Sequence, residues 1–284
     1  SKYKKKNWGN STISSRVISW LLNIDIILDN GTFDFKKNFL NSVVLQTNHL
    51  KKNIRFEKNY LKKIKILSAL MLSGMVFKEY GENYNIAIKE LEILFKDFFD
   101  KDGFPYSRSP NDLTIFTRYL ILCRKIIKDG QKYVPEFLEE IIEKNLSCYN
   151  FIKTPDNQIP LFNGASVNSL NRLDDFNDNL KIKKKDSKTV IGGIFKAKLK
   201  NHEIFFDVGI PPKKNFSKNY QSGPLSFEYF LDGIKIVTNS GFGNNISRKA
   251  ELLSRLTGCQ STLTLNDTTV TKFERNKLVN RVFG

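Results

Sequence analysis

Apolar residues recur at helical spacing through the first half of the chain. Ile13, Val17, Ile18, Leu21, Leu22 and Ile24 share one face, the three-to-four-residue repeat of an amphipathic helix. Ser11 or Thr12 stands where an N-cap is expected, and Asn30-Gly31 stops the run. The same repeat predicts a helix over 34–55, with Phe39, Leu40, Val43, Val44 and Leu50 facing in. A third covers 58–80, with Leu61, Ile64, Leu67, Leu70, Met71, Met75 and Val76 inward and Gly81 closing it. A fourth covers 84–99, carrying Ile88, Leu91, Leu94, Phe95 and Phe98. After a loop over 100–110, Pro110 suits the first turn of a fifth helix reaching 128, and Pro135 opens a sixth ending near 149. Consecutive helices with short connections make a bundle or a helical toroid. No letter-level internal repeat is visible.

The pattern changes near Lys153. Residues 154–188 are rich in Asn, Asp, Ser and Lys and read as linker and loop. From Thr189 onward alternation takes over. Strands are predicted over 189–200, where Ile194 to Leu199 alternate, and over 203–208, with a hairpin turn at Lys200-Asn201-His202. A second pair, 225–231 and 234–239, flanks Asp232-Gly233, a strong hairpin dipeptide. Segments 261–265 and 278–283 complete the set, with Asn266-Asp267 as a turn. Antiparallel hairpins without intervening helices imply a sandwich. The fold expected is therefore α+β and multidomain. A helical segment spans 1–153, a linker 154–188, and an antiparallel β-sandwich segment 189–284.

Charge adds one fact to this picture. The chain of 284 residues carries a formal net charge of +17. The excess is mostly Lys and comes with much Asn, Ile and Phe, all residues of A/T-rich codons. Dense basic runs are short, at 4–6 and 181–185, and Lys is spread through both halves. A nucleic-acid binder needs basic residues gathered on one face with aromatic stacking, so no nucleic-acid partner is expected. A solvated lysine-rich surface, or one that attracts an acidic polymer such as a polysaccharide, fits better. The apolar stretch 64–77 is interrupted by Lys65, Ser68 and Ser73, and no run reaches the length of a membrane span.

Cys123, Cys148 and Cys259 make no metal-ligand spacing with the only histidines, His49 and His202. The cluster 174–178 lacks the Gly and terminal Glu of a calcium loop. No metal and no cofactor is implied, and oligomeric state is left open. The chain begins at Ser1 without Met or a signal-like segment, and ends at Gly284 directly after a strand-like run. The expectation is a fragment of a longer polypeptide, in which the missing signal peptide says nothing about export.

Three stretches resemble the heparinase II/III-like family, especially its alphaproteobacterial forms. Asp102-Gly103-Phe104-Pro105-Tyr106-Ser107-Arg108-Ser109-Pro110 is similar to the family's D-G-G-H-x-x-R-(S/N)-P loop between toroid helices. Leu161-Phe162-Asn163-Gly164 is similar to its L-F-N-G. Gly223-Pro224-Leu225-Ser226-Phe227-Glu228, then Asn239-Ser240-Gly241, then Gln260-Ser261-Thr262-Leu263 resemble its H-A-x-x-L-S-F-E, N-x-G and H-(N/S)-T-(L/V). The resemblance runs over about 8–284. It implies an (α/α) toroid segment followed by a β-sandwich, with a sugar-binding cleft between them, and a bacterial cell-envelope or periplasmic setting.

Such lyases cleave uronic-acid chains by β-elimination. A base takes the C5 proton, acidic only when the neighbouring carboxylate is neutralised, and an acid protonates the leaving oxygen. The family uses Tyr and His for the proton transfers and Asn or His for the carboxylate. This sequence departs from that pattern. The toroid Asn-His dyad falls on Asn59-Tyr60, and S-P-x-Y-H falls on Ser109-Pro110-Asn111-Asp112-Leu113. The sandwich histidines fall on Asn219 and Gln221, and that of H-(N/S)-T on Gln260.

Tyr60 and Tyr220 are left as candidate proton carriers, each also readable as an ordinary packed tyrosine. Asn59, Arg108, Asn163, Gln221 and Gln260 are the candidate substrate-binding residues around the cleft. Arg108 reads equally as a salt-bridge partner within the toroid, and Asn163 as a turn residue. Glu228 reads as a structural hydrogen-bond partner, His49 as a packed helix residue and His202 as the top of a hairpin. The resemblance implies a polysaccharide lyase-like protein acting on acidic, uronic-acid glycan. The alternative is a non-catalytic glycan-binding or envelope-assembly protein on the same scaffold.

Overall fold

The computed structural model describes residues 8–166, 173, 188–266 and 268–270. The basic runs 4–6 and 181–185, the cluster 174–178 and the segment 278–283 lie outside the described residues. The chain divides into two compact units that interleave along the sequence. One is Ser1–Gly103, Leu113–Leu146 and Leu173–Ile182; the other is Phe104–Asp112, Ser147–Arg172 and Lys183–Gly284.

The first unit is helical. Its elements are α1 (Asn10–Leu22), α2 (Ile24–Leu28), α3 (Phe33–Asn53), α4 (Tyr60–Val76) and α5 (Gly81–Phe98), with most of α6 (Pro110–Asp129) and α7 (Glu136–Ile152). Helix α4 packs against α1, α3 and α5 and buries Ile64, Leu67 and Leu70 completely. Its start is fixed by Asn59, whose side chain accepts the Lys62 N–H at 3.0 Å. Thr32 caps α3 in the same way, accepting from Phe35 at 3.3 Å. The cap expected of Ser11 or Thr12 is absent. Gly9 is the N-cap of α1 and gives no side-chain bond, because the helix begins at Asn10 and takes both hydroxyl residues into its first turns. The single helix predicted over 58–80 is broken. Phe77 turns to extended backbone, and Lys78–Tyr80 form a separate 3₁₀ turn.

The second unit holds a five-stranded antiparallel sheet in the order β1 (Val190–Ile191), β2 (Ile194–Leu199), β3 (His202–Asp207), β4 (Phe227–Leu231) and β5 (Ile234–Val237). Each strand pairs with the next, with Leu199 opposite His202 and Leu231 opposite Ile234 across the tight turns. Asp232 and Gly233 both take positive φ, 52° and 80°, as a two-residue hairpin of the strand-twist-matched kind requires. One face of the sheet alternates charge with aromatic rings. Lys196 stands opposite Phe205, Phe205 opposite Glu228, and Phe230 opposite Lys235. Lys196 pairs with Glu203 at 2.8 Å and Lys235 with Glu228 at 3.3 Å.

The strand predicted over 261–265 does not form; only an isolated bridge joins Leu265 to Thr268. Ser261 is instead tied to Phe227 and Asn239 by its side chain. The region after Thr189 is also not purely strand. Helix α8 (Arg248–Leu253) follows β5, capped by Ser247, which accepts the Ala250 N–H at 3.0 Å. Six residues are too few to show a helical period. Within the stretch read as linker, 154–166 folds into this unit and buries Ile159, Leu161, Phe162, Asn163 and Ala165.

Candidate functional site

Arg108 takes a positive φ of 57° in the loop before α6. That turn sends its side chain into the sheet unit, where it is only 8% exposed. Nε donates to the Gly192 carbonyl at 3.2 Å, Nη1 to Gly209 and Ile210 at 2.9 and 3.0 Å, and Nη2 to Gly193 at 3.2 Å. Nη2 also pairs with Asp207 Oδ1. A guanidinium has five N–H donors, so every donor is used. Glycine is required alongside: a Cβ on Gly209 would lie 2.5 Å from the guanidinium carbon, and one on Gly193 2.7 Å from Nη2.

Asp207, at the end of β3, is the centre of this network. Its second oxygen accepts from Asn163 Nδ2 at 3.1 Å. Asn163 itself sits at φ 48°, a left-handed turn position that Asn tolerates better than most residues. The next residue continues the chain of bonds, Gly164 N–H donating to Gln221 Oε1 at 3.0 Å. Gln221 Nε2 donates to Gly241 and Ser254 carbonyls at 3.1 and 2.8 Å, and Gln260 Nε2 reaches the same Ser254 carbonyl at 2.8 Å. Ser222 and Thr257 hydroxyls meet at 3.0 Å, and Asn239 Oδ1 accepts from Ser261 N–H at 3.0 Å. The Arg108 loop, the Asn163 turn, and the segments around Gln221, Asn239 and Gln260 thus converge on one buried polar network.

Tyr220 lies beside it, 5% exposed, with a buried hydroxyl that has no hydrogen-bond partner among the described residues. Burial, with Asp207 adding and Arg108 opposing, pushes its pKa up to about 12. Glu228 is fully buried; its Oε1 accepts from Thr238 Oγ1 at 3.0 Å and Asn239 N–H at 3.2 Å, and burial raises its pKa. Asp112, in the first turn of α6, is pushed up to about 6 by burial, against the lowering effect of the Ser107 hydroxyl that donates to it at 2.7 Å.

Of the seven residues picked out in the sequence, Arg108, Asn163, Tyr220, Gln221 and Gln260 come together in the sheet unit. Asn59 and Tyr60 belong to the helical unit. Asn59 is an N-cap, and Tyr60 stacks on Phe98 with ring centroids 4.8 Å apart. Burial and the neighbouring Asp97 raise the Tyr60 pKa. Arg108 pairs with Asp207 and donates to four backbone carbonyls, so its donors are engaged within the sheet unit. Its salt bridge lies in the sheet unit rather than among toroid helices. Asn163 and Gln221 are buried and hydrogen-bonded within the sheet unit. The residue missed was Asp207. Its signal was an acid closing an alternating strand, an inward position that demands a cation.

His49 lies edge-on to Trp8 at 5.6 Å, and His202 Nδ1 is 2.6 Å from the Tyr229 hydroxyl at the β2–β3 hairpin. Among the described residues no group of three His, Cys, Asp or Glu side chains is placed to hold a metal, and no helix is long and apolar enough to cross a membrane.

Residues 183–283 match the family model for "Heparinase II/III-like, C-terminal". Solved structures share the fold over nearly the whole chain. A heparinase III crystal structure aligns with TM-score 0.75 at 14% identity, covering 93% of this chain and 48% of the other. A second heparinase III aligns with TM-score 0.71 at 18% identity, covering 93% and 47%. The heparan sulfate lyase HepC from Pedobacter heparinus aligns with TM-score 0.64 at 20% identity, covering 94% and 47%. The chain spans about half the length of these proteins. No curated protein sequence matches it.

Proposed function

We propose that this chain, whose residues 183–283 match the heparinase II/III-like C-terminal model, serves a polysaccharide lyase-like protein that takes up acidic, uronic-acid glycan. We assign its own residues to binding and scaffolding more than to β-elimination. The observation that carries this reading is the chemical state of the two candidate tyrosines. Removing the C5 proton requires a phenolate or another base near neutral pH. Free tyrosine titrates near ~10; Tyr220 is pushed to about 12 and its hydroxyl is buried, while Tyr60 is also raised. Both favour the neutral phenol. The positions that match the family's histidines hold Tyr60, Leu113, Asn219, Gln221 and Gln260, none of which is a base at pH 7. Loss of a general base or acid removes about 10²–10⁴ in rate.

The non-catalytic reading is favoured specifically by the Arg108 network, in which motif residues fasten loops to one another. A cell-envelope or periplasmic setting belongs to the same proposal. The test is to mix the protein with several uronic-acid polysaccharides, follow ultraviolet absorbance of the unsaturated product, and measure binding in parallel. Salt-sensitive binding with little turnover is expected. Robust turnover abolished by Tyr60→Phe or Tyr220→Phe would promote that tyrosine to catalyst and overturn the binding-first assignment. Absence of both turnover and binding on every acidic glycan tried would remove the polysaccharide reading.

A further inference from the structure

The segment between β3 and β4 holds no acidic residue from Val208 to Phe227, but carries Lys213, Lys214 and Lys218. Its backbone is held at several points. Arg108 fastens the Gly209 and Ile210 carbonyls at the start. A 3₁₀ turn, Lys214–Phe216, closes with Phe216 N–H on the Lys213 carbonyl at 2.8 Å. Tyr220 N–H then donates to the Ser217 carbonyl at 3.1 Å, and Arg255 Nε fastens the Tyr220 carbonyl at 3.0 Å. Beside the turn, Phe216 meets Tyr106 from the Arg108 loop, ring centroids 5.6 Å apart and planes 40° from parallel. Tyr106 is 44% exposed, and Lys213 and Lys218 are exposed as well.

We infer that Tyr106, Phe216 and the lysines of this loop form an anchoring subsite for acidic glycan, separate from the buried Arg108 network. The inference rests on the proposed polysaccharide reading and says where on the sheet unit the polymer is held. The chemistry matches in both parts. A sugar ring presents C–H faces that pack on an aromatic ring, whose π face is electron-rich. Carboxylate or sulfate groups on the same sugar would meet ammonium groups on a loop whose bonded backbone reduces the ordering cost of binding. Arg108 then acts as a positioning residue: it contacts no ligand but sets both the loop's start and, two residues away in its own loop, Tyr106.

The test compares binding of polygalacturonate and of heparin oligosaccharide to four forms: the natural sequence, Lys213→Gln/Lys218→Gln, Tyr106→Ala, and a control, Lys37→Gln/Lys52→Gln, which removes two charges from α3. The loop lysine variant should bind about tenfold more weakly at low salt and show a flatter salt dependence, because exposed charges are screened over a Debye length of about 10 Å at 0.1 M. Tyr106→Ala should lose about threefold at low and high salt alike, since an aromatic contact is not screened. The control should stay near the natural affinity. If the natural sequence binds and the loop variants bind equally well, the subsite is wrong and the polysaccharide reading stands. If the natural sequence binds neither glycan, both fall. Equal loss in loop variant and control overturns the subsite in favour of diffuse charge. Binding of single-stranded DNA as tight as that of either glycan, with the same loss in the loop variants, replaces the glycan with nucleic acid.

Discussion

The helical unit buries Ile64, Leu67, Leu70, Leu91, Leu120 and Ile127, whereas the sheet unit buries Arg108, Asn163, Asp207, Gln221 and Glu228 beside its Phe205 and Phe230. Apolar burial is non-directional and scales with area, so a helix interior can shift and repack around a lost methyl group. A buried charge network has no such latitude. Each member was desolvated on folding and depends on its partner's position. In the sheet unit the partners come from segments far apart in sequence, Arg108, Asn163, Asp207, Gln221 and Gln260. Polar side chains there do the work of joining loops that, in the helical unit, falls mainly to buried apolar residues of α4 and its neighbours, with a few polar links such as Asn83 to Ser73 and Asn145 to the Gly103 carbonyl.

The sharpest way to break that contrast is Arg108→Met. It leaves Asp207 buried with only Asn163 as a side-chain partner, and removing one member of a buried pair costs about 3–5 kcal/mol. Hydrogen exchange resolved by peptide should show the loss in β2, β3 and the Asn163 turn. Replacing both partners, Arg108→Met with Asp207→Leu, should recover part of it, because no uncompensated charge is left. A single-variant cost below about 1 kcal/mol, the range of an exposed ion pair, would mean the network does not hold the unit. Leu67→Ala in α4 is the matching apolar cut, expected at about 2–4 kcal/mol from lost transfer energy and cavity. Both tryptophans, Trp8 and Trp20, belong to the helical unit, so fluorescence-detected urea unfolding reports this variant directly.

A pH scan sharpens the comparison further. Asp112 is raised from 3.8 to about 6 by burial, so the folded protein holds this proton more tightly than the unfolded chain. Its contribution to stability is therefore fully present below pH 3.8 and is lost as pH rises through about 6, a swing on the order of 3 kcal/mol. Asp112→Asn, neutral throughout and still able to accept from Ser107, should flatten that part of the profile and stabilise the protein at pH 7. An unchanged profile between pH 4 and 6 in the variant would assign the dependence to another group.

The two units also differ in how far the sequence discloses them. Helices α3 to α7 follow from apolar spacing and from the punctuation of Pro110 and Pro135, because local periodicity is enough to define an amphipathic helix; Gly81, read as the stop of the third helix, instead opens α5, and α4 ends earlier, at Val76. The hairpins follow from alternation and from Asp232-Gly233. What periodicity does not show is long-range polar pairing. Nothing near Arg108 names Asp207 as its partner across ninety-nine positions, and a turn at Asn163 gives no sign of the Gln221 bond that follows it. Resemblance to family motifs singled out Arg108, Asn163, Gln221 and Gln260, and the internal bonds that bring these four together are not disclosed by motif spacing. Helix α8 stayed hidden because six residues carry too little pattern.

Asn59 offers the smallest effect and the cleanest separation of two roles, the family-implied contact to a sugar carboxylate and the observed cap of α4. As a cap it accepts from Lys62 N–H at 3.0 Å, and Asn59→Ala should destabilise the helical unit by about 1 kcal/mol in urea unfolding. Asn59→Asp keeps the acceptor and places a negative charge at the positive end of the helix, a favourable arrangement. Glu57, whose Oε1 already accepts the Asn59 N–H at 3.1 Å, opposes that gain by repulsion, so stability should stay within about 0.5 kcal/mol of the natural sequence. A carboxylate at a glycan contact would instead repel a uronate. Unchanged stability together with unchanged affinity for polygalacturonate identifies Asn59 as a cap alone. Unchanged stability with affinity lost by tenfold or more would restore it to the binding surface, and would show that the helical unit, too, spends a polar residue on something other than holding itself together.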